Sequence, residues 1–227
     1  MKHVRMMTLV AMGMAVTGCS SIDVASRNAP FEAPAATATQ SAPSMTVAAY
    51  EVRVPNSLKV SEANAYYPSG DIVWRGEAMG DRHLQVKKIF EDSIARGSVG
   101  ANGSVPVLVD IEVKRFHALT EKTRYSVGGR HEIQFVMNFL DPETRQPVAP
   151  PRDIDATFKG FGGARAVAAE RNGITQKLRI HNKLTAVFQH ELGVTGTPVG
   201  EIAPEAVSRN ETFNGPLKAG ERTTGLF

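Results

Sequence analysis

Val105, Val107, Val109, Ile111 and Val113 place an apolar side chain at every second position, and no other feature restricts the fold of this chain as much. Successive side chains of a strand point to opposite faces, so this spacing gathers all five on one face. Asp110 and Glu112 fall on the other. The stretch predicts a strand with one face in the core and one face toward water.

The other elements are read around it. In YEVRV, Tyr50, Val52 and Val54 alternate with Glu51 and Arg53, which predicts a strand that Pro55 ends or holds at an edge. In DRHLQVKKIFEDSIARG, Val86, Ile89, Phe90, Ser93 and Ile94 share one helical face, with Asp81 placed to cap the start and Gly97 the end. Ile133, Phe135, Met137 and Phe139 predict another strand, DPETRQP a turn, and Ile154, Ala156 and Phe158 a fourth strand. Ile174, Leu178, Leu184, Val187, Phe188 and Leu192 spread over a wide apolar helix face, and Gly173 breaks or delays its start. The expected class is α+β, in the order β-α-β-β-β-α. The last three strands form an antiparallel meander in a mostly antiparallel sheet, with two helices on one face of a two-layer sandwich. Residues 45–192 make up this single domain.

The start of the chain carries a different signal. Lys2, His3 and Arg5 precede an apolar run from Met6 to Val16, which is too short to cross about 30 Å of hydrocarbon as a helix. It fits a signal peptide over residues 1–18. The VTGC that follows resembles the lipobox of bacterial lipoproteins, and that resemblance implies cleavage before Cys19 and acylation of its thiol and new amine. Several acyl chains anchor a protein stably where one does not. Ser20 rather than an acid follows Cys19, which in the lipoprotein sorting rule leads to the outer membrane, here its periplasmic face. Residues 19–44, rich in Ala, Ser, Thr and Pro, are expected to be a disordered tether, and 193–227 a flexible tail. Cys19 is the sole cysteine, so no disulfide forms within the chain.

Charge excludes one class of partner. Of 26 basic and 23 acidic side chains, only Lys2 and Arg5 lie in residues 1–18, so the remainder carries a formal +1. That gives no reason to expect nucleic acid.

Motifs of catalysis are missing. HEIQF opens like a zinc-protease helix, but Phe135 stands where the second His must be, and the pattern is that of a strand. His117, His131, His181 and His190 show no ligand spacing, so no metal or other cofactor is expected. Neither G-x-S-x-G nor S-x-x-K occurs. The chain is read as a protein that is not an enzyme.

Two stretches remain as candidate binding sites. GFGG leads into a helix, and Gly160, Gly162 and Gly163 with Arg165 either cradle an anion at a helix N-terminus or form a glycine turn. Residues 61–80 lack a sustained period yet hold Tyr66, Tyr67 and Trp74 beside Asp71 and Arg75. Tyr, Trp and Arg favour interfaces, which makes these five candidate partner contacts. The competing reading is that the loop folds back and plugs the edge of the core.

The stretches VPNSLKVSEANAYYPSGDIVWR, RFHALTEKTRYSVGG and FGGARAVAAERNGITQK resemble an uncharacterised family of proteobacterial lipoproteins. The order of elements resembles the small α/β fold of outer-membrane accessory lipoproteins, including the lipopolysaccharide-assembly lipoprotein. These resemblances imply a tethered, non-enzymatic binding or assembly module with an envelope protein partner. The alternative is a ligand-binding auxiliary component of an envelope lipid or glycan transport pathway.

Overall fold

The computed structural model describes residues 44–194 and a two-residue strand at 217–218. The segment 1–18, Cys19, the stretch up to residue 43 and most of 193–227 lie outside the described residues.

Strand β3 (Val105–His117) runs through the middle of the sheet. Val107, Val109, Ile111 and Val113 are all fully buried, as the alternation requires. Strand β1 (Met45–Arg53) lies along one edge of β3 in parallel, with Tyr50 opposite Val109 and Val52 opposite Ile111. Strand β4 (Gly129–Leu140) lies antiparallel along the other edge, with Phe139 opposite Val109 and Phe135 opposite Val113. Strand β5 (Pro147–Asp155) closes that side. As an outer strand it tolerates Pro147, Pro150 and Pro151, which cannot donate to a ladder.

Both inner strands share an edge between two partners. β2 (Ile72–Val73) continues the line of β1 along β3, with Ile72 opposite Phe116. β6 (Phe158–Gly160) does the same beside β4, with Phe158 opposite His131. The expected fourth strand is therefore two strands, parted where Asp155 Oδ1 accepts from the Thr157 amide at 2.9 Å. A last strand, β7 (Leu217–Lys218), pairs with β1 in parallel.

The sheet is mixed rather than mostly antiparallel. β1–β3, β1–β7 and β2–β3 are parallel, while β3–β4, β4–β5 and β4–β6 are antiparallel. The meander β3–β4–β5 is as expected. β1 departs from the expected sheet because helix α1 (Arg82–Gly97) intervenes between β1 and β3, and a crossover of that length returns the chain in the same direction.

Among the described residues there are four helices where two were expected. α1 begins as read, with Asp81 Oδ1 accepting from the Leu84 amide at 3.1 Å. The short α2 (Glu121–Arg124), capped by Thr120, links β3 to β4. The expected terminal helix is α4 (Gln176–Glu191), and Gly173, whose φ is +74°, parts it from α3 (Gly163–Arg171), the helix that GFGG leads into. Thr175 caps α4 by accepting from the Leu178 amide at 3.2 Å. α1 and α4 supply Val86, Ile89, Phe90 and Ile94, and Ile180, Leu184 and Phe188, to one core shared with the inward row of the sheet. On the outer face Arg53 donates to both carboxylate oxygens of Asp110 at 2.8 Å, and Asn138 Nδ2 donates to the same group at 2.9 Å. That chain of polar groups ties β1, β3 and β4 across the sheet. Burial alone would raise the Asp110 carboxyl, but Arg53 and Asn138 hold it below the usual carboxylate range.

Gly97 is the last residue of α1, but the cap is Ser98 and not Gly97, whose backbone is not left-handed; the positive φ, +88°, belongs to Gly100. A methyl group at Gly97 would stand 2.6 Å from Cβ of Phe188 and 3.0 Å from the Thr185 carbonyl. Gly97 is a point of close backbone approach between α1 and α4. Alanine favours a helix over glycine by about 1 kcal/mol, but overpacking a rigid contact costs about 1–3 kcal/mol. Gly97→Ala is therefore expected to lower the urea midpoint with an unchanged m-value.

Candidate functional site

The loop from Val54 to Asp71 leaves the sheet at β1 and re-enters it at β2. Glu62 accepts from the buried Arg82 at 2.6 and 3.1 Å, and its carbonyl accepts from Arg75 at 2.7 Å. Asn64 Oδ1 accepts from the Lys122 amide at 2.8 Å, and the Ala65 carbonyl from Thr120 Oγ1 at 2.8 Å. The Pro68 carbonyl accepts from His117 Nε2 at 3.0 Å. Each of these partners sits on α1, β2, β3 or α2 or beside it, so the loop is clamped along its length.

This clamping divides the five candidate contact residues. Trp74 has 0% exposure; it meets Phe116 edge-on at 5.6 Å, and its Nε1 donates to Glu77 at 2.7 Å. It is a core residue and not a surface anchor, because the sheet edge beside β2 needs a large apolar plug. Arg75 is committed to Glu62 and Glu121, and Asp71 Oδ2 accepts from the Lys59 amide at 2.9 Å. Both brace the loop. Tyr66 and Tyr67 point outward, Tyr67 with 95% exposure and Tyr66 with the Lys122 ammonium 4.7 Å above its ring.

The glycine stretch serves close approach. A Cβ on Gly160 would lie 2.4 Å from a Leu119 methyl, and one on Gly162 would lie 2.4 Å from the Gly128 amide. Gly163 enters α3 with φ +55°. The turn at 160–163 packs directly on the turn at 127–128, which is the turn reading of GFGG. Arg165 reaches back to the Phe161 ring at 4.1 Å, and Arg179 of α4 approaches the same ring at 3.6 Å.

Behind Phe161 lies a cavity of about 10 Å³, room for about one water. Arg124, His131, Glu170, Gln176 and Arg179 line it together with apolar side chains. His131 is 1% exposed and Gln176 5%. His131 Nδ1, both amide atoms of Gln176 and Arg124 Nε have no hydrogen-bond partner. Burial, then the charges of Arg179 and Arg124, pull His131 down to about 3, so it is a neutral imidazole. Burial and then Arg165 lower Arg179 as well. Arg124 pairs with Glu170 at 2.9 Å, while Arg165 and Arg179 have no carboxylate partner among the described residues. The sequence singled out Arg165 in this group. Arg124 comes from α2, His131 from β4, and Gln176 and Arg179 from the first turn of α4, so no single local spacing marks the group.

Ser93 and His181 form a second buried polar pair, between α1 and α4. The Ser93 hydroxyl donates to the Ile89 carbonyl at 2.7 Å, which leaves His181 Nδ1, 3.1 Å away, to donate to Oγ. A nucleophilic serine needs the reverse direction, and both side chains are closed off from solvent. His190 is exposed beside Glu191 at 3.1 Å.

Two outcomes follow from these placements. Trp74→Ala removes a fully buried ring and is expected to cost about 3–5 kcal/mol, read as a large fall in melting temperature. His131 and His181 are depressed from 6.5 to about 3 and about 4, His181 chiefly by burial. The unfolded chain binds these protons first, so their contribution is complete above about pH 6.5 and is lost as the pH falls toward about 4. Melting temperature is expected to drop between pH 6.5 and 4.5, and His131→Gln should flatten that slope; a slope unchanged in the variant contradicts the assignment.

Compared with solved structures, the chain is similar to a Xanthomonas campestris protein of the family DUF330, with 14% identity and a TM-score of 0.40 over 67% of this chain and 82% of that one. It is also similar to a Caulobacter crescentus protein provisionally named a lipoprotein, with 16% identity and a TM-score of 0.26 over 49% of this chain and 84% of that one. No curated protein matches it in sequence. A family model described as a family of unknown function, DUF6778, matches residues 45–204, starting at the first residue of β1 and running past the end of α4. The chain belongs to this family of unknown function.

Proposed function

We propose that this protein is a lipid-anchored, non-catalytic binding module of the bacterial envelope, held at the periplasmic face of the outer membrane through Cys19. The observation that carries the binding role is Tyr67, 95% exposed at the crest of a loop whose neighbours are fixed by Arg75, Arg82, Thr120 and His117. An exposed aromatic on a mobile loop would lose conformational freedom on binding. One on a clamped loop has already lost it, and preorganisation of this kind raises affinity. Tyr66 and Tyr67 are the amphipathic type of side chain that concentrates binding energy at protein interfaces. The anchoring role rests on VTGC after a short apolar run. Among the described residues no helix is long and apolar enough to cross a membrane.

The filled core favours this reading over a lipid carried between helix and sheet. Phe90, Phe116, Phe135 and Phe188 occupy that layer, all essentially without exposure.

Mass spectrometry of the protein isolated from envelopes is expected to show an N-terminus at an acylated Cys19, and Cys19→Ala to leave an uncleaved or soluble form. Retention of residues 1–18 on the wild-type chain would refute the anchor. Tyr67→Ala is expected to leave the melting temperature unchanged while weakening capture of the envelope partner about tenfold or more. Equal capture by the variant would remove Tyr67 from the interface.

A further inference from the structure

We propose that the cavity between α2, β4 and the start of α4 is a binding site for a phosphate group. The proposal is independent of the tyrosine loop and of the lipid anchor.

Four deeply placed polar atoms face no partner: Arg124 Nε, His131 Nδ1, and Gln176 Nε2 and Oε1. Their residues line one cavity, and such atoms are rarely left unsatisfied in a folded protein. A chain that holds four together presents a site for a polar guest.

The guest is an anion because of the surrounding charge. Arg124, Arg165 and Arg179 are opposed by Glu170, which is taken up by Arg124 and by the Tyr125 hydroxyl at 2.8 Å. Arg165 and Arg179 stack on the same Phe161 ring with no carboxylate between them among the described residues, and Arg165 adds to burial in disfavouring the charge of Arg179. An anion relieves that repulsion. Gln176 is also the first residue of α4, where the unpaired amides of a helix N-terminus favour negative charge.

The guest is a phosphate because the site offers an acceptor as well as donors. Arg124 Nε and Gln176 Nε2 donate, but Gln176 Oε1 requires a donor from the guest. Inorganic phosphate near neutral pH always keeps at least one P–OH, and a phosphate monoester, whose second pKa is about 6, keeps one for part of the time. Sulfate and phosphodiesters carry none. The cavity holds about one oxygen, so one phosphate oxygen enters it and the others lie at its mouth beside Arg179, with Arg165 on the same Phe161 ring. Free inorganic phosphate and the headgroup of a lipid phosphomonoester both have this chemistry.

The test is titration calorimetry of the acylated full chain in detergent. Inorganic phosphate and sulfate are compared at matched ionic strength. Expected is saturable phosphate binding, with sulfate weaker by about tenfold or more. Arg165→Gln, at an exposed position, is expected to weaken phosphate about tenfold. Gln176→Glu, nearly isosteric, is expected to abolish binding while melting no lower than the wild type, because its carboxylate meets Arg124 and Arg179, which line the same cavity. Vesicles with phosphatidic acid or phosphatidylglycerol as the anionic lipid then identify the source: preference for phosphatidic acid points to a headgroup, and indifference to both points to the free ion. No saturable phosphate binding, or equal binding of phosphate and sulfate that persists in both variants, would overturn the proposal. So would vesicle binding without any response to inorganic phosphate.

Discussion

The two layers of this protein close on the ring of Phe90. From α1 it meets Phe135 of β4 at 5.2 Å, Phe116 of β3 at 6.2 Å and Phe188 of α4 at 6.4 Å. Phe135 and Phe188 are themselves 5.6 Å apart. Four rings from four elements thus form one packed unit, and tilted or edge-on contacts of this kind add to the stabilisation from burying the rings. Trp74 extends the unit through Phe116 to the far end of the sheet. The rest of the architecture must keep these rings in reach. The missing side chain at Gly97 lets α4 lie close enough to α1 for Phe188 to enter. The bulge between Val113 and Arg115 shifts the alternation so that Phe116 faces inward.

With the rings occupying one face, polar groups are arranged wherever the chain must turn away from the core. Arg82, buried beside the loop at Glu62, also donates to the Ala78 carbonyl at 3.1 Å and to Gln85 Oε1 at 2.7 Å. Glu77 accepts from both Trp74 and Lys177, joining the loop to α4. These bonds explain how a connection of this length without helix or strand stays ordered. They also fix what it displays, since a clamped backbone leaves Tyr66 and Tyr67 no inward alternative. The opposite condition holds around His131, where side chains from α2, β4 and α4 converge and part of their hydrogen-bonding capacity is unused.

Much of the fold was legible in local pattern. The rows of β3 and β4, the apolar face and cap of α1, and the turn after β4 follow from side-chain period and turn chemistry, which neighbouring residues fix among themselves. β1 was legible only from Tyr50 onward. The irregular register between Val47 and Ala49 breaks the alternation there, although Met45 and Val47 are buried too. α4 was legible from Ile174 onward with Gly173 at its start, whereas α3 was marked only as the helix that GFGG leads into. Trp74 was ambiguous, because an aromatic residue in an aperiodic stretch carries the same local signal whether it faces water or the core.

The sequence by itself determined the α+β class, the strands of the meander and the position of the first long helix. Each depends on residues a few positions apart. Only the tertiary structure decided that β1 joins β3 in parallel, that Trp74 is buried while Tyr67 is not, and that Arg124, His131, Gln176 and Arg179 share a cavity. Those outcomes join residues far apart in the chain. They are selected by how the aromatic core closes and by where the backbone must cross to close it, and no local period records either.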